Sequence, residues 1–237
     1  MSADASPDRT AAPATPRDAA TVVLVRRDAS APRVLMGQRG GAASFMPNKF
    51  VFPGGALDPS DFEVRSSRAL SPPCRTRLGK KTDRPELAAP LAFAAIRETF
   101  EETGLRLAHP AEAVDGPPEA ETWRRFFSAG GEPAIDRLRF VFRAITPPTL
   151  PKRFDARFFL ADAETVLGDL DDFSQADAEL SHLSWLPLDE ARGLDLPFIT
   201  SVVLAELQAL ADAGWPEDDR PAPFFRHDAS GSHFEPL

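Results

Sequence analysis

The run Arg97-Glu98-Thr99-Phe100-Glu101-Glu102-Thr103-Gly104-Leu105 gathers three carboxylates within five positions. On an α-helix, positions 98, 101 and 102 stand i, i+3 and i+4 apart and share one face. Like charges at that spacing repel, so selection for helix stability alone would avoid stacking them. A hard divalent cation such as Mg²⁺ or Mn²⁺, which prefers carboxylate and water oxygens, removes the conflict. A solvated acidic helix face is the competing reading, and Glu101-Glu102 taken alone would favour it. Phe93, Ile96 and Phe100 fall on a broadly opposite face, so the helix can be anchored while its acids look outward. The four histidines, His109, His182, His227 and His233, are scattered without ligand spacing. Surface placement fits each of them better than catalysis.

The elements that must hold these acids follow from patterning. Leu91–Thr103 has a helical repeat, with Pro90 suited to the first turn and Gly104 to the C-terminal cap. Ahead of it, Thr21–Val25 and Arg33–Met36 predict a hairpin across the turn-like Asp28–Pro32. A third short strand, Phe50–Phe52, runs into Pro53-Gly54-Gly55, where two glycines permit a turn that other residues resist. Residues 58–89 read as a polar stretch with one short helix near Asp61–Leu70. Further on, Pro118–Ser128 predicts a helix, Arg137–Ile145 and Phe154–Leu160 alternate as half-buried strands, and Glu179–Leu188 predicts another strand. Ile199, Val202, Val203, Leu207 and Leu210 form the stripe of a last helix. The expected organisation is a disordered tail over 1–19, one mixed α/β domain over 20–212, and a C-terminal tail over 213–237.

Composition bounds the function classes. The 237 residues are enough for one substantial core, and the formal net charge is −9. A chain that acidic does not hold nucleic acid through a general phosphate-neutralising surface, so an anionic substrate would need local cations or metal. The single cysteine, Cys74, excludes an internal disulfide framework and any cysteine-based zinc site. No apolar run reaches the roughly 18 residues that span a bilayer, and residues 1–20 lack a secretory pattern. The expectation is a cytoplasmic protein without membrane or nucleic-acid partners.

Taken whole, Arg97–Leu105 resembles the second half of the Nudix box, G-x5-E-x7-R-E-U-x-E-E-x-G-U, where U is aliphatic. Five fixed residues, at roughly 6% usage each, match by chance in about one register per million. Phe52-Pro53-Gly54-Gly55 is similar to the strand and loop that open the box, and Asp61 stands where the family has its first Glu. Arg97 follows Asp61 by 36 positions, where the contiguous box spaces the two by about 8, so the resemblance implies an insertion over about 62–89. Thr99 departs from the aliphatic preference. The resemblance implies a Nudix-type α/β/α sandwich with a mixed β-sheet lying between the metal helix and the C-terminal helix.

It also implies roles. Glu98, Glu101 and Glu102 match the metal-binding glutamates, and Glu101 and Glu102 are carried over as catalytic. Arg97 matches the arginine that orients the first of them through a charge-assisted hydrogen bond. Gly54 and Gly55 match glycines whose backbone bends around the metal and offers it a carbonyl. Family members hydrolyse a diphosphate linked to a nucleoside with Mg²⁺ or Mn²⁺, through a carboxylate-activated water. The base comes either from the box helix or from a later loop, where Glu179 is the candidate; an exposed acid at the start of a strand is its competing reading.

The split box is similar to a branch that includes coenzyme A diphosphatases. Leu35, Arg39, Phe52, Pro53, Gly54, Gly55 and Asp61 keep that branch's upstream pattern, Asp58 replaces its Glu, and Gly37, Gly40, Ala43, Asn48 and Phe50 miss it. Arg153-Phe154-Asp155-Ala156-Arg157-Phe158-Phe159 is similar to another segment of the branch. Coenzyme A or an acyl derivative is the first substrate expected. ADP-ribose, a nucleotide sugar, a nucleoside triphosphate, or a non-catalytic nucleotide-binding role are the alternatives. The insertion holds Arg65, Arg68, Arg75, Arg77, Lys80, Lys81 and Arg84 against Glu63, Asp83 and Glu86. Arg75, Arg77, Lys80 and Lys81, with Arg39, are therefore candidate substrate cations, a mobile solvated loop being the other reading. The partner expected is a small nucleoside diphosphate, with a homodimer as an allowed assembly.

Overall fold

The computed structural model describes residues 14–27, 31–43, 45–111, 118–216, 220–228 and 230–237. Most of the expected tail 1–19 and part of the Asp28–Pro32 turn lie outside them. In chain order the strands are β1 (Arg17–Arg26), β2 (Arg33–Arg39), β3 (Phe50–Val51), β4 (Gly54–Ala56), β5 (Ala108–His109), β6 (Glu132–Pro133), β7 (Arg139–Ile145), β8 (Phe154–Asp162), β9 (Leu180–Pro187), β10 (Pro223–Asp228) and β11 (Gly231–Pro236). The helices are α1 (Pro72–Leu78), α2 (Ala88–Thr103), α3 (Glu121–Ser128), α4 (Leu188–Ala191) and α5 (Phe198–Asp212). No helix among the described residues is long and apolar enough to cross a membrane.

Nine strands form one mixed sheet in the order β11-β10-β7-β8-β1-β2-β3, with β4 on β1 and β9 on β2. Strand β1 runs parallel to β8 and antiparallel to β2 and β4. Because side chains alternate across a strand, β1 serves both faces. Ala20, Val22 and Leu24 pack with Leu91, Ala95 and Ile96 of α2, whereas Val23 and Val25 pack with Val203, Leu204 and Leu207 of α5. The result is the expected α/β/α sandwich, with the acidic helix and the C-terminal helix on opposite faces.

Two expectations need correction. The insertion contains no helix over 61–70; a 3₁₀ turn at Pro59–Phe62 is followed by α1, which starts at prolines where their missing N–H costs nothing. Nor is it a solvated loop, since Val64, Leu70, Cys74, Leu78 and Leu87 are buried in the α2-side core. At the chain's end, 213–237 is not a tail. Strand β10 pairs in parallel with β7, β11 pairs with β10, and Ala222, Phe224 and Leu237 are buried. Alternating apolar residues in a Pro-rich stretch hid that hairpin. The sheet also begins at Arg17, earlier than expected.

Candidate active site

Helix α2 carries the acids, and Gly104 ends it in the left-handed region (φ 78°), its N–H donating to Phe100 O at 2.9 Å. Within the last two turns, Arg97 is the hub. Its Nε and Nη2 donate to the two carboxylate oxygens of Asp61 at 2.8 and 3.1 Å, and Nη2 also reaches Ala56 O at 3.0 Å. Its Nη1 donates to Glu98 Oε1 and to Glu101 Oε2, each at 2.8 Å. Burial favours the neutral form of Arg97, but Asp61, Glu98 and Glu101 outweigh it and hold the guanidinium charged, above its ordinary range. The bidentate pair closes the gap that the insertion opens in sequence.

The two acids upstream divide their work. Asp61 is 1% exposed and pairs with Arg97, while Asp58 caps the 3₁₀ turn by accepting from Ser60 N at 2.9 Å. Asp61 Oδ2 accepts from Asp58 N at 2.9 Å in return, a capping box that fixes the carboxylate facing Arg97.

The glycines lie against the acids. Gly54 N donates to Glu102 Oε2 at 2.8 Å. A Cβ at Gly55 would stand 2.4 Å from the Glu98 carboxylate, and one at Gly54 would stand 2.6 Å from Ala20 O. No side chain fits at either place. Burial pushes the Glu98 carboxyl up to about 7, with Arg97 opposing and the Glu101 charge adding to the rise. Burial, and then the charge of Glu98, raise Glu102 well above the usual carboxylate range despite the Gly54 N–H.

Glu179 enters from the loop before β9. Asp177 N donates to Glu101 O and Glu179 N to Asp177 Oδ1, both at 2.8 Å, which docks the loop on the end of α2. Arg39 Nη2 donates to Glu179 Oε1 at 2.8 Å, across the β2–β9 pairing of Arg39 with Leu180. The charge of Glu179 is felt at both Glu98 and Glu102. The structure therefore brings Glu98, Glu102, Glu179, Arg39 and the two glycines together.

Glu101 is turned differently. Its Oε2 accepts from Arg97 and its Oε1 from the hydroxyl of Thr122 on α3. Among the described residues, no three acidic, histidine or cysteine side chains form a ready metal cage. The donor set still suits Mg²⁺ or Mn²⁺: the carboxylates of half-buried Glu98 and buried Glu102, the first raising the proton affinity of the second, are hard oxygen ligands beside a glycine backbone. Mg²⁺ in particular takes few carboxylates and fills its shell with water and phosphate.

The insertion's cations are not brought to this cluster. Arg77 is buried, its Nη1 donating to Arg220 O at 3.0 Å, and Lys81 pairs with Glu235. Arg143 Nη1 donates to Lys81 O at 2.9 Å, so the segment is fastened to β7 and the C-terminal hairpin. Arg75 and Lys80 are exposed on that side. The RFDARFF segment is also structural: Asp155 forms a bidentate pair with Arg143, and Arg157 donates to Asp18 Oδ1 at 2.7 Å. Of the histidines, His109 pairs with Asp136 at 2.8 Å and His233 with Asp228 at 2.9 Å.

No family model matches the chain. A solved Nudix hydrolase from Alicyclobacillus acidocaldarius is similar at 30% identity and TM-score 0.62, covering 82% of this chain and 92% of that one. The chain belongs to the Nudix hydrolase family. Two curated relatives agree with it. A Caenorhabditis elegans protein named as a nudix hydrolase is 28% identical over 179 residues, 72% of this chain and 51% of that protein. The acyl-coenzyme A diphosphatase NUDT19 of Gallus gallus is 38% identical over 97 residues, 32% of this chain and 26% of that protein. This Nudix chain thus spans about half, or less, of the curated relatives it matches. Thr122 and the Gly54 N–H escaped sequence reasoning, the first because α3 carries no motif and the second because backbone donors leave no trace in composition.

Proposed function

We propose that this Nudix domain hydrolyses the phosphoanhydride of a nucleoside diphosphate derivative, with coenzyme A or an acyl-coenzyme A as substrate. The observation that carries the reading is the meeting of Glu98 and Glu102 against Gly54-Gly55, with Glu179 opposite. Glu98, Glu102 and a carbonyl of the glycine loop would hold Mg²⁺ or Mn²⁺, with Glu101 behind them. Bound there, the cation neutralises phosphate oxygens and favours attack by water. Glu179 accepts the water proton as the new P–O bond forms, and the bridging P–O bond breaks to leave two phosphate esters. Arg39, already paired with Glu179, supplies charge for the diphosphate. Arg97 keeps Glu98 oriented and opposes the rise in its proton affinity.

Coenzyme A is preferred because the partial relative is an acyl-coenzyme A diphosphatase and because Arg39 and Phe52–Gly55 keep the branch's pattern. A single buried cysteine accords with a reducing, cytoplasmic setting. Incubation with coenzyme A, ADP-ribose and dinucleotides, each with Mg²⁺ or Mn²⁺, tests the reading by mass. Phosphopantetheine and an adenosine bisphosphate from coenzyme A are expected. Turnover of ADP-ribose alone would move the substrate, and turnover of none would leave a nucleotide-binding module.

A further inference from the structure

Of the three glutamates on α2, Glu101 alone has both oxygens engaged by side chains among the described residues. Arg97 Nη1 donates to Oε2 at 2.8 Å, and the Thr122 hydroxyl donates to Oε1. Glu98 accepts only through Oε1 and Glu102 only through Oε2 from described donors, which leaves one oxygen of each without a described donor. The same Arg97 Nη1 serves Glu98 and Glu101 together. Whatever fixes Glu101 therefore fixes how that nitrogen is shared.

The Thr122 hydroxyl is held rigidly enough for this. The next residue, Trp123, is fully buried and meets Phe93 edge-on at 6.3 Å, and Phe126 meets Phe100 edge-on at 5.5 Å. These rings lock α3 to α2 at Phe93 and at Phe100, the residue next to Glu101, and aromatic pairs of this kind resist sliding. Thr122 itself is half-buried, with a branched side chain of few rotamers. The hydroxyl thus meets Glu101 from a neighbouring helix in a fixed pose.

We propose that Thr122 is a positioning residue: it holds Glu101 so that Arg97 Nη1 stays shared with Glu98, and thereby sets the affinity of the carboxylate site for its divalent cation. The inference rests on the proposed metal-dependent reading. Without the hydroxyl, Glu101 competes more strongly for Arg97, and Glu98 loses its orientation. Support of this outer kind is commonly worth 10–100-fold in metal affinity or activity.

The test compares Thr122→Val, which replaces the hydroxyl with a methyl, with Thr122→Ser, which keeps it. Free Mn²⁺ is read by electron paramagnetic resonance in a titration of the protein without substrate, alongside kcat and KM at saturating metal. Thr122→Val should bind Mn²⁺ about tenfold more weakly and lose kcat by a similar factor, with KM within about twofold and the melting temperature unchanged. Thr122→Ser should restore both. A folded Thr122→Val with the parent's Mn²⁺ affinity, or with tighter binding because Glu101 has swung onto the metal, overturns the proposal. So does a serine variant as defective as the valine one. Glu102→Gln separates the two levels. Loss of Mn²⁺ binding there with none in Thr122→Val removes only the positioning role, whereas full binding and turnover in Glu102→Gln removes the metal reading itself.

Discussion

At the scale of single residues, the acids of the box helix do unequal work. Glu102 is 2% exposed, receives Gly54 N–H and faces the charge of Glu98. Replacing it with Gln keeps the volume and removes a charged ligand, so kcat should fall at least about 100-fold while the melting curve is kept, as steady-state kinetics and calorimetry would show. Unchanged turnover in the folded variant would dismiss the assignment. Asp61 belongs to the scaffold instead. Asp61→Asn leaves the buried Arg97 without its bidentate partner, and breaking such a pair costs about 3 kcal/mol or more, readable in urea unfolding. A loss below about 1 kcal/mol would show that Glu98 and Glu101 satisfy Arg97 by themselves. Arg97, Glu98, Glu101 and Glu102 stood out in the sequence because their run resembles the Nudix box, the helical spacing of the three acids adding a conflict that a cation would relieve. Thr122 did not, because its partner lies 21 positions away on another helix, and no local pattern encodes an interhelical contact.

At the scale of elements, the insertion is where sequence reading and structure diverge most. Its excess of cations invited a role in holding substrate phosphate, yet the fold turns it toward β7 and the C-terminal hairpin. Charge counts along a chain carry no direction; burial of Cys74 and Leu78 on one face of α1 sets where each arginine points. Three of the four candidates should then behave as two classes. Arg77→Ala removes a buried side chain and its bond to Arg220 O, which should cost about 2 kcal/mol and lower the melting temperature by roughly 4–8 °C. The paired change Arg75→Ala/Lys80→Ala touches only exposed side chains, so stability should hold within about 0.5 kcal/mol. KM for coenzyme A should stay within about twofold in both variants. A salt-sensitive rise in KM for coenzyme A, absent with the dephosphorylated analogue, would restore the insertion to the substrate site. The β1–β2 hairpin, the box helix and the last helix were legible because strong periodicity marks long elements; β4 was not, since three residues ending in Ala56 have no period to read.

At the scale of the whole molecule, the sheet separates chemistry from closure. The acids sit on α2, which packs on β1 and β4, whereas β10 and β11 finish the far edge of the sheet. Phe224 joins that edge to the interior: it is 3% exposed, lies opposite Arg143 in register, and carries the Arg143 guanidinium 4.5 Å above its ring. Arg143 in turn pairs with Asp155, and Arg157 bridges Asp155 to Asp18 at the start of β1. Phe224→Ala should therefore lose burial, a cation–π contact and the cover over a charged network together. A cost of about 3–5 kcal/mol is expected from the deleted ring alone. Phe234, on the neighbouring strand but 55% exposed, should cost no more than about 0.5 kcal/mol when changed to Ala. Urea unfolding of the two variants gives the comparison directly. Because the edge lies strands away from Gly54-Gly55, Phe224→Ala assayed well below its melting temperature should keep kcat within about twofold. Equal stability losses for the two phenylalanines would show the hairpin to be a loose appendage, and a large drop in kcat in folded Phe224→Ala would show that this edge bears on the carboxylate cluster.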